Sequence, residues 1–154
     1  MWESIIAILG KKTLEVVFGA AAKKSQFNGL VAEFLDELKQ NTQLCELVLK
    51  HSADPKVEGR KLKREAYRTL RSQGYNFTKI KKGVIPSYES TQGTDVAFLS
   101  GKTLEQALAN ISDRIQDLQT ICDSTASLER IDLQRRFLNL AKRLAVGGRF
   151  VFSK

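Results

Sequence analysis

Between Leu104 and Cys122 the residues Leu104, Leu108, Ile111, Ile115, Leu118 and Cys122 recur at spacings of 4, 3, 4, 3 and 4. Positions three and four apart share one face of an α-helix, so this seam predicts a helix buried along one side for its whole length. Thr103 followed by Gln106 supplies a capping box at its start. A second seam follows, with Leu133, Phe137, Leu140 and Leu144 at spacings of 4, 3 and 4, and Ile131, Leu138 and Ala141 beside it. Only a short Asp-Ser-Thr turn separates the two, and so short a connection forces neighbouring helices to lie antiparallel. The chain is therefore expected to carry a helical hairpin, 103–122 against 127–146, ended by Gly147-Gly148.

The remaining sequence extends this pattern. The only prolines are Pro55 and Pro86, which leaves room for long helices. Residues 2–24 read as a first helix, apolar on more than one face through Trp2, Ile5, Ile6, Ile8, Leu9, Leu14, Val16, Val17 and Phe18. Lys11, Lys12, Thr13 and Glu15 interrupt that run, whereas a membrane span needs about 20 mostly apolar residues. The Met1-Trp2-Glu3 start lacks the basic opening of a secretory signal. Residues 27–51 form a second helix on Phe27, Leu30, Val31, Phe34, Leu35 and Leu38, resuming at Cys45, Val48 and Leu49. Asn41-Thr42 predicts a break in it, because both residues favour caps over helix interiors. Glu33, Asp36, Glu37 and Glu46 mark its expected wet face.

Asp54-Pro55 opens a third helix, with an N-cap followed by a proline at the first helical position, and it is expected to run to Ser72 before Gly74. Tyr75–Ile80, the Lys82-Gly83 turn and Val84-Ile85 suggest a small β-hairpin near 75–86. Residues 87–102 read as a polar exposed loop. The Arg149–Phe152 tail is expected to pack back on the bundle or pair near Phe77. The expected class is all-α: one domain over 1–154, a bundle of about five helices with at most that hairpin. With 154 residues, 42% of them hydrophobic and 27% charged, the chain can bury a core without metals or disulfides.

Cys45 and Cys122 both fall on apolar stripes, which predicts reduced core thiols and an intracellular, cytoplasmic setting. Two cysteines and the single His51 do not make a four-ligand zinc site, so no cofactor is expected. Ser100-Gly101-Lys102-Thr103 echoes the end of a phosphate-binding loop. That motif needs a glycine five residues before the Gly-Lys pair, and Val96 stands there. No Ser-His-Asp or Cys-His pairing can be built on His51 with local support, and Asp113 and Asp117 lie on a face expected to be solvated. The sequence predicts no enzyme.

Charge carries the functional signal. The formal net charge is +8, distributed as 0 over residues 1–50, +7 over 51–85, −5 over 86–132 and +6 over 133–154. Clustered cations repel one another, and an anionic partner relieves that repulsion. Arg60, Lys61, Lys63, Arg64, Arg68, Arg71, Lys79, Lys81 and Lys82 are the candidate anion-binding residues, with Arg135, Arg136, Lys142 and Arg143 as a second surface. Tyr67, Tyr75, Phe77 and Ile80 lie among them, where aromatic rings could stack on bases or anchor at a membrane interface. Nucleic-acid phosphates are the expected partner of this basic stretch. Two alternatives draw on other features. The basic segment complements an acidic protein partner, or the Glu105–Asp132 segment of a second copy, giving an interaction or self-assembly module. An anionic membrane surface would suit a bundle whose first helix inserts.

Overall fold

The computed structural model describes residues 2–9, 29–124 and 132–152 of the 154-residue chain. Its α-helices are α1 (Trp2–Leu9), α2 (Gly29–Leu49), α3 (Pro55–Arg60), α4 (Glu65–Ser72), α5 (Leu104–Asp123) and α6 (Leu133–Phe152). Short 3-10 turns lie at Phe77–Lys79, Glu89–Thr91 and Ala97–Leu99. The fold is an all-α bundle, and among the described residues the only β-type pairing is an isolated bridge between Val84 and Thr103.

The α5/α6 hairpin is built as its seams require. Leu104, Leu108, Ile111, Ile115, Leu118 and Cys122 are buried against Phe137, Leu140 and Leu144. Arg143 meets Asn110, while Leu118 and Arg135 line one groove, so the two helices run antiparallel. The capping box is complete: Gln106 N donates to Thr103 Oγ1 at 3.2 Å and Thr103 N to Gln106 Oε1 at 2.9 Å. Gly147-Gly148 does not end α6, which runs on to Phe152. A helical glycine costs about 1 kcal/mol, and here the buried Val146 and Phe150 offset it by packing on the core. The tail is thus helical and does not pair as a strand. Residues 125–131, where the last helix was expected to begin, lie outside the described residues.

α1 buries Trp2, Ile5 and Ile8 and packs on α6. Arg149 holds its end by donating from Nη1 to Ile8 O at 3.0 Å, with the guanidinium 4.1 Å from the centre of the Tyr88 ring. Residues 10–28 of the expected first and second helices lie outside the described residues.

Four local expectations are corrected. α2 is continuous through Asn41-Thr42, because Thr42 Oγ1 donates within the helix to Leu38 O at 2.9 Å and Asn41 serves another element. The third helix is split at Lys61–Arg64 into α3 and α4. Asp54 caps α3 as expected, accepting from Lys56 N at 3.0 Å. Gly59 is buried so closely against Cys122 that a Cβ would collide with its Sγ, and the next apolar residue, Leu62, turns inward. Continuing straight would carry the helix off this surface.

The 75–86 hairpin is absent as well. Tyr75–Ile80 winds into a 3-10 turn capped by Asn76, because Phe77 enters the core beside Phe34, Tyr67 and Tyr75 at ring separations of 5.3–6.0 Å. Val84-Ile85 pairs forward with residues 101–103 through Ile85 N to Lys102 O and Gly101 N to Ile85 O, both 2.8 Å. Nor is 87–102 simply an exposed loop. Thr91, Val96 and Leu99 are buried, which anchors its two 3-10 turns.

Candidate anion-binding groove

The break between α3 and α4 leaves backbone groups without helical partners, and three side chains from other elements supply them. Asn41 of α2 donates from Nδ2 to Lys63 O at 2.6 Å and accepts from Lys63 N on Oδ1 at 2.8 Å. Gln119 of α5 donates to Leu62 O at 2.6 Å. Glu37 of α2 caps the start of α4, its two oxygens accepting from Ala66 N at 3.0 Å and Tyr67 N at 3.2 Å. A carboxylate there meets the free amides and the positive end of the helix dipole. Burial raises the Glu37 pKa, while those amide hydrogen bonds oppose the rise. Glu37 is therefore not on the wet face, as expected from sequence, but 7% exposed.

This clamp fixes which way α4 presents its cations. Arg64, Arg68 and Arg71 recur at i, i+4 and i+7 and line one shallow groove of about 570 Å³ between α4 and α5. The groove is completed by Glu65, Tyr67, Thr69, Ser72, Ser112 and Asp113. Tyr67 and Ser112 are buried and form its floor. Arg71 Nη1 lies 3.4 Å from Tyr67 Oη, and burial holds the phenol in its neutral form by raising its pKa. Among the described residues none of the three guanidinium groups has a carboxylate within ion-pair distance. At a rise of about 1.5 Å per residue the row is roughly 10 Å long.

The other predicted residues are dispersed. Lys63 faces a separate groove with Glu33, Asp36 and Glu37 of α2. Arg60 caps the far end of α5, donating to Cys122 O at 2.9 Å, with Asp123 at 3.9 Å. Lys61 pairs with Glu58 at 3.3 Å. Lys79 lies 6.0 Å from the Tyr75 ring centre and Lys81 5.7 Å from that of Phe150. Lys82 is exposed on the turn before Val84. The aromatics expected to meet a ligand are largely withdrawn: Tyr67 and Phe77 belong to the core, and Tyr75 and Ile80 are half-buried against it.

The second basic surface is divided too. Arg135 and Arg136 line a groove with Arg114, Asp117, Asp132 and Asn139. Lys142 pairs with Asp95 at 3.1 Å. Arg143 is buried, donating to Asn110 Oδ1 at 2.8 Å and Asn139 O at 2.9 Å, with its guanidinium 5.4 Å from the Phe98 ring centre. Both cysteines are free and buried, and burial pushes the thiol pKa of each upward. Among the described residues no cluster of three His, Cys, Asp or Glu side chains suits a metal ion, and no helix is long and apolar enough to cross a membrane.

None of Glu37, Asn41, Ser112 and Gln119 is among the residues the sequence marks for the site. A signal for one of them was present. Phe34, Leu38, Asn41, Cys45 and Val48 are spaced 4, 3, 4 and 3, so Asn41 occupies a seam position where a buried polar group needs a partner. Compared with known proteins, the chain matches no family model, no curated protein and no solved structure.

Proposed function

We propose that this protein is a non-enzymatic nucleic-acid-binding protein that holds a phosphate backbone on α4. The observation that carries the reading is the row of Arg64, Arg68 and Arg71 in one groove, free of carboxylate partners among the described residues. Planar guanidinium forks match phosphate oxygens, and the arginines carry the attraction, since the Thr69 and Ser72 hydroxyls already donate to Glu65 O and Thr69 O. With the aromatic side chains committed to the core, base stacking contributes little, so binding is insensitive to sequence and sensitive to salt. Three phosphate contacts correspond to a log–log salt slope of roughly −2 on single strands and −3 on duplexes.

The test is a titration of purified protein against single-stranded RNA and duplex DNA at two salt concentrations. Salt-sensitive binding lost in Arg64→Glu with Arg68→Glu supports the reading. Absence of binding at low salt rejects it. One observation favours a second reading. Glu105, Asp113 and Asp117 are exposed along α5, and such an acidic face on a second copy would complement the arginine row. Sedimentation that rises with concentration at low salt, and is lost in the same variant, would select self-assembly.

A further inference from the structure

The groove contains a residue that a purely phosphate-binding surface would avoid. Asp113 stands on its α5 wall, opposite the α4 arginines. A fixed negative charge beside a bound polyanion lowers affinity unless it makes an attraction of its own. The other acid of the groove is already committed, since Glu65 Oε2 accepts from Arg64 N at 3.1 Å. Asp113 is exposed and, among the described residues, its carboxylate neither accepts a hydrogen bond nor enters an ion pair. It acts on the same space as the arginines: Arg71 bears on the Tyr67 hydroxyl with one sign, and Glu105 and Asp113 with the other.

An ionised carboxylate only accepts hydrogen bonds. The phosphodiester chain of DNA offers it no O–H donor. The ribose 2′-hydroxyl of RNA is both donor and acceptor, and it is the group by which a protein distinguishes the two. We propose that Asp113 makes this groove selective for ribose strands, accepting a hydrogen bond from a 2′-hydroxyl while Arg64, Arg68 and Arg71 hold neighbouring phosphates. The proposal rests on the phosphate-binding reading of the same groove. It favours one strand over two, because the cations form a single row with Asp113 on the opposite wall.

The experiment compares short oligouridine, oligodeoxyuridine and 2′-O-methyl oligouridine on the full chain at low salt. The bases of the three are alike; the methyl ether replaces the donor proton by a methyl group, and the deoxy strand lacks both the donor and that added bulk. Oligouridine is expected to bind about tenfold more tightly than either other probe, the size of one charge-assisted hydrogen bond. Asp113→Ala should abolish that preference by weakening oligouridine and strengthening oligodeoxyuridine a few-fold. Asp113→Asn keeps an acceptor oxygen without the charge and should retain part of the preference. Position 113 is an exposed mid-helix site where alanine is the better helix former, so both variants keep the fold. Equal binding of all three probes, lost in Arg64→Glu with Arg68→Glu, would overturn ribose selectivity and leave phosphate binding standing. No binding of any probe would overturn both.

Discussion

The cations of α4 and those of α6 look alike in the sequence and have opposite fates in the fold. Residues 51–85 carry +7 and residues 133–154 carry +6. Arg135 and Arg136 at the start of α6 still line a groove, but from Lys142 onward the described cations are spent inside the molecule. Arg143 is buried on Asn110 and Asn139, Lys142 pairs with Asp95, and Arg149 closes the end of α1. In α4 the three guanidinium groups face an open groove. The difference lies in what each helix packs against. α6 runs through the middle of the bundle, against α1, α2 and α5, so its polar side chains meet carbonyls and amides. α4 is short and docks through Tyr67 and Leu70, with Ala66 half-buried beside them, which leaves its other faces to solvent. A cationic stretch is thus a binding surface only where the fold leaves it without internal partners.

The sharpest way to break this comparison is to reverse charge on both sides of it. Arg64→Glu with Arg68→Glu would remove two of the three proposed phosphate contacts, and affinity for RNA in a filter-binding assay at low salt should fall about a hundredfold or more. Thermal stability should hardly move, because exposed substitutions usually stay within about 0.5 kcal/mol. Unchanged affinity would show that the row is not the site.

Arg143→Ala should do the converse. It strands the acceptors on Asn110 and Asn139 and removes the packing on Phe98, for a loss of about 3 kcal/mol in urea unfolding. An undiminished unfolding midpoint would mean that Arg143 is as dispensable as a surface cation.

Gly59→Ala tests what positions α4. The new methyl meets Cys122 Sγ, and overpacking of this kind costs about 1–3 kcal/mol. Adding Cys122→Ala to the same chain should recover most of the loss. Failure of that rescue would place the strain elsewhere.

Glu37 gives a smaller effect with a defined sign. Its folded pKa is raised, by burial first and by the neighbouring Glu65 charge as well, so the folded state binds its proton more readily than the unfolded chain does. Stability from this group is therefore greatest below the ordinary glutamate pKa of about 4.3 and declines as pH rises through the raised folded value. The Ala66 and Tyr67 amides limit that decline. Glu37→Gln should flatten this part of the pH profile and lower stability near neutrality by about 1 kcal/mol through the poorer cap. A variant with the wild-type slope would assign the pH dependence to another group. Smallest of all, Lys142→Ala should change stability by less than about 1 kcal/mol, since Asp95 is substantially exposed and the pair is screened.

Much of the architecture was legible in the chain. The seams of Leu104–Cys122 and Leu133–Leu144, the Thr103–Gln106 box and the Asp54-Pro55 start fixed helices, faces and an antiparallel hairpin, because these depend on residues close in sequence. Where reading failed, distant partners had decided. Glu37 and Asn41 were read as a wet face and a break, yet both are buried because the Lys61–Arg64 break, 22 or more residues later, needs their hydrogen bonds. Phe77 became core rather than strand because Phe34 and Tyr67 were waiting for it. The same holds for charge. Sequence determined how many cations each segment carries and that three of them recur on one helical face. Only the tertiary structure decided which cations found carbonyls and carboxylates and which were left facing an open groove, because the strength of a charge interaction depends on separation in space and on burial, not on separation along the chain.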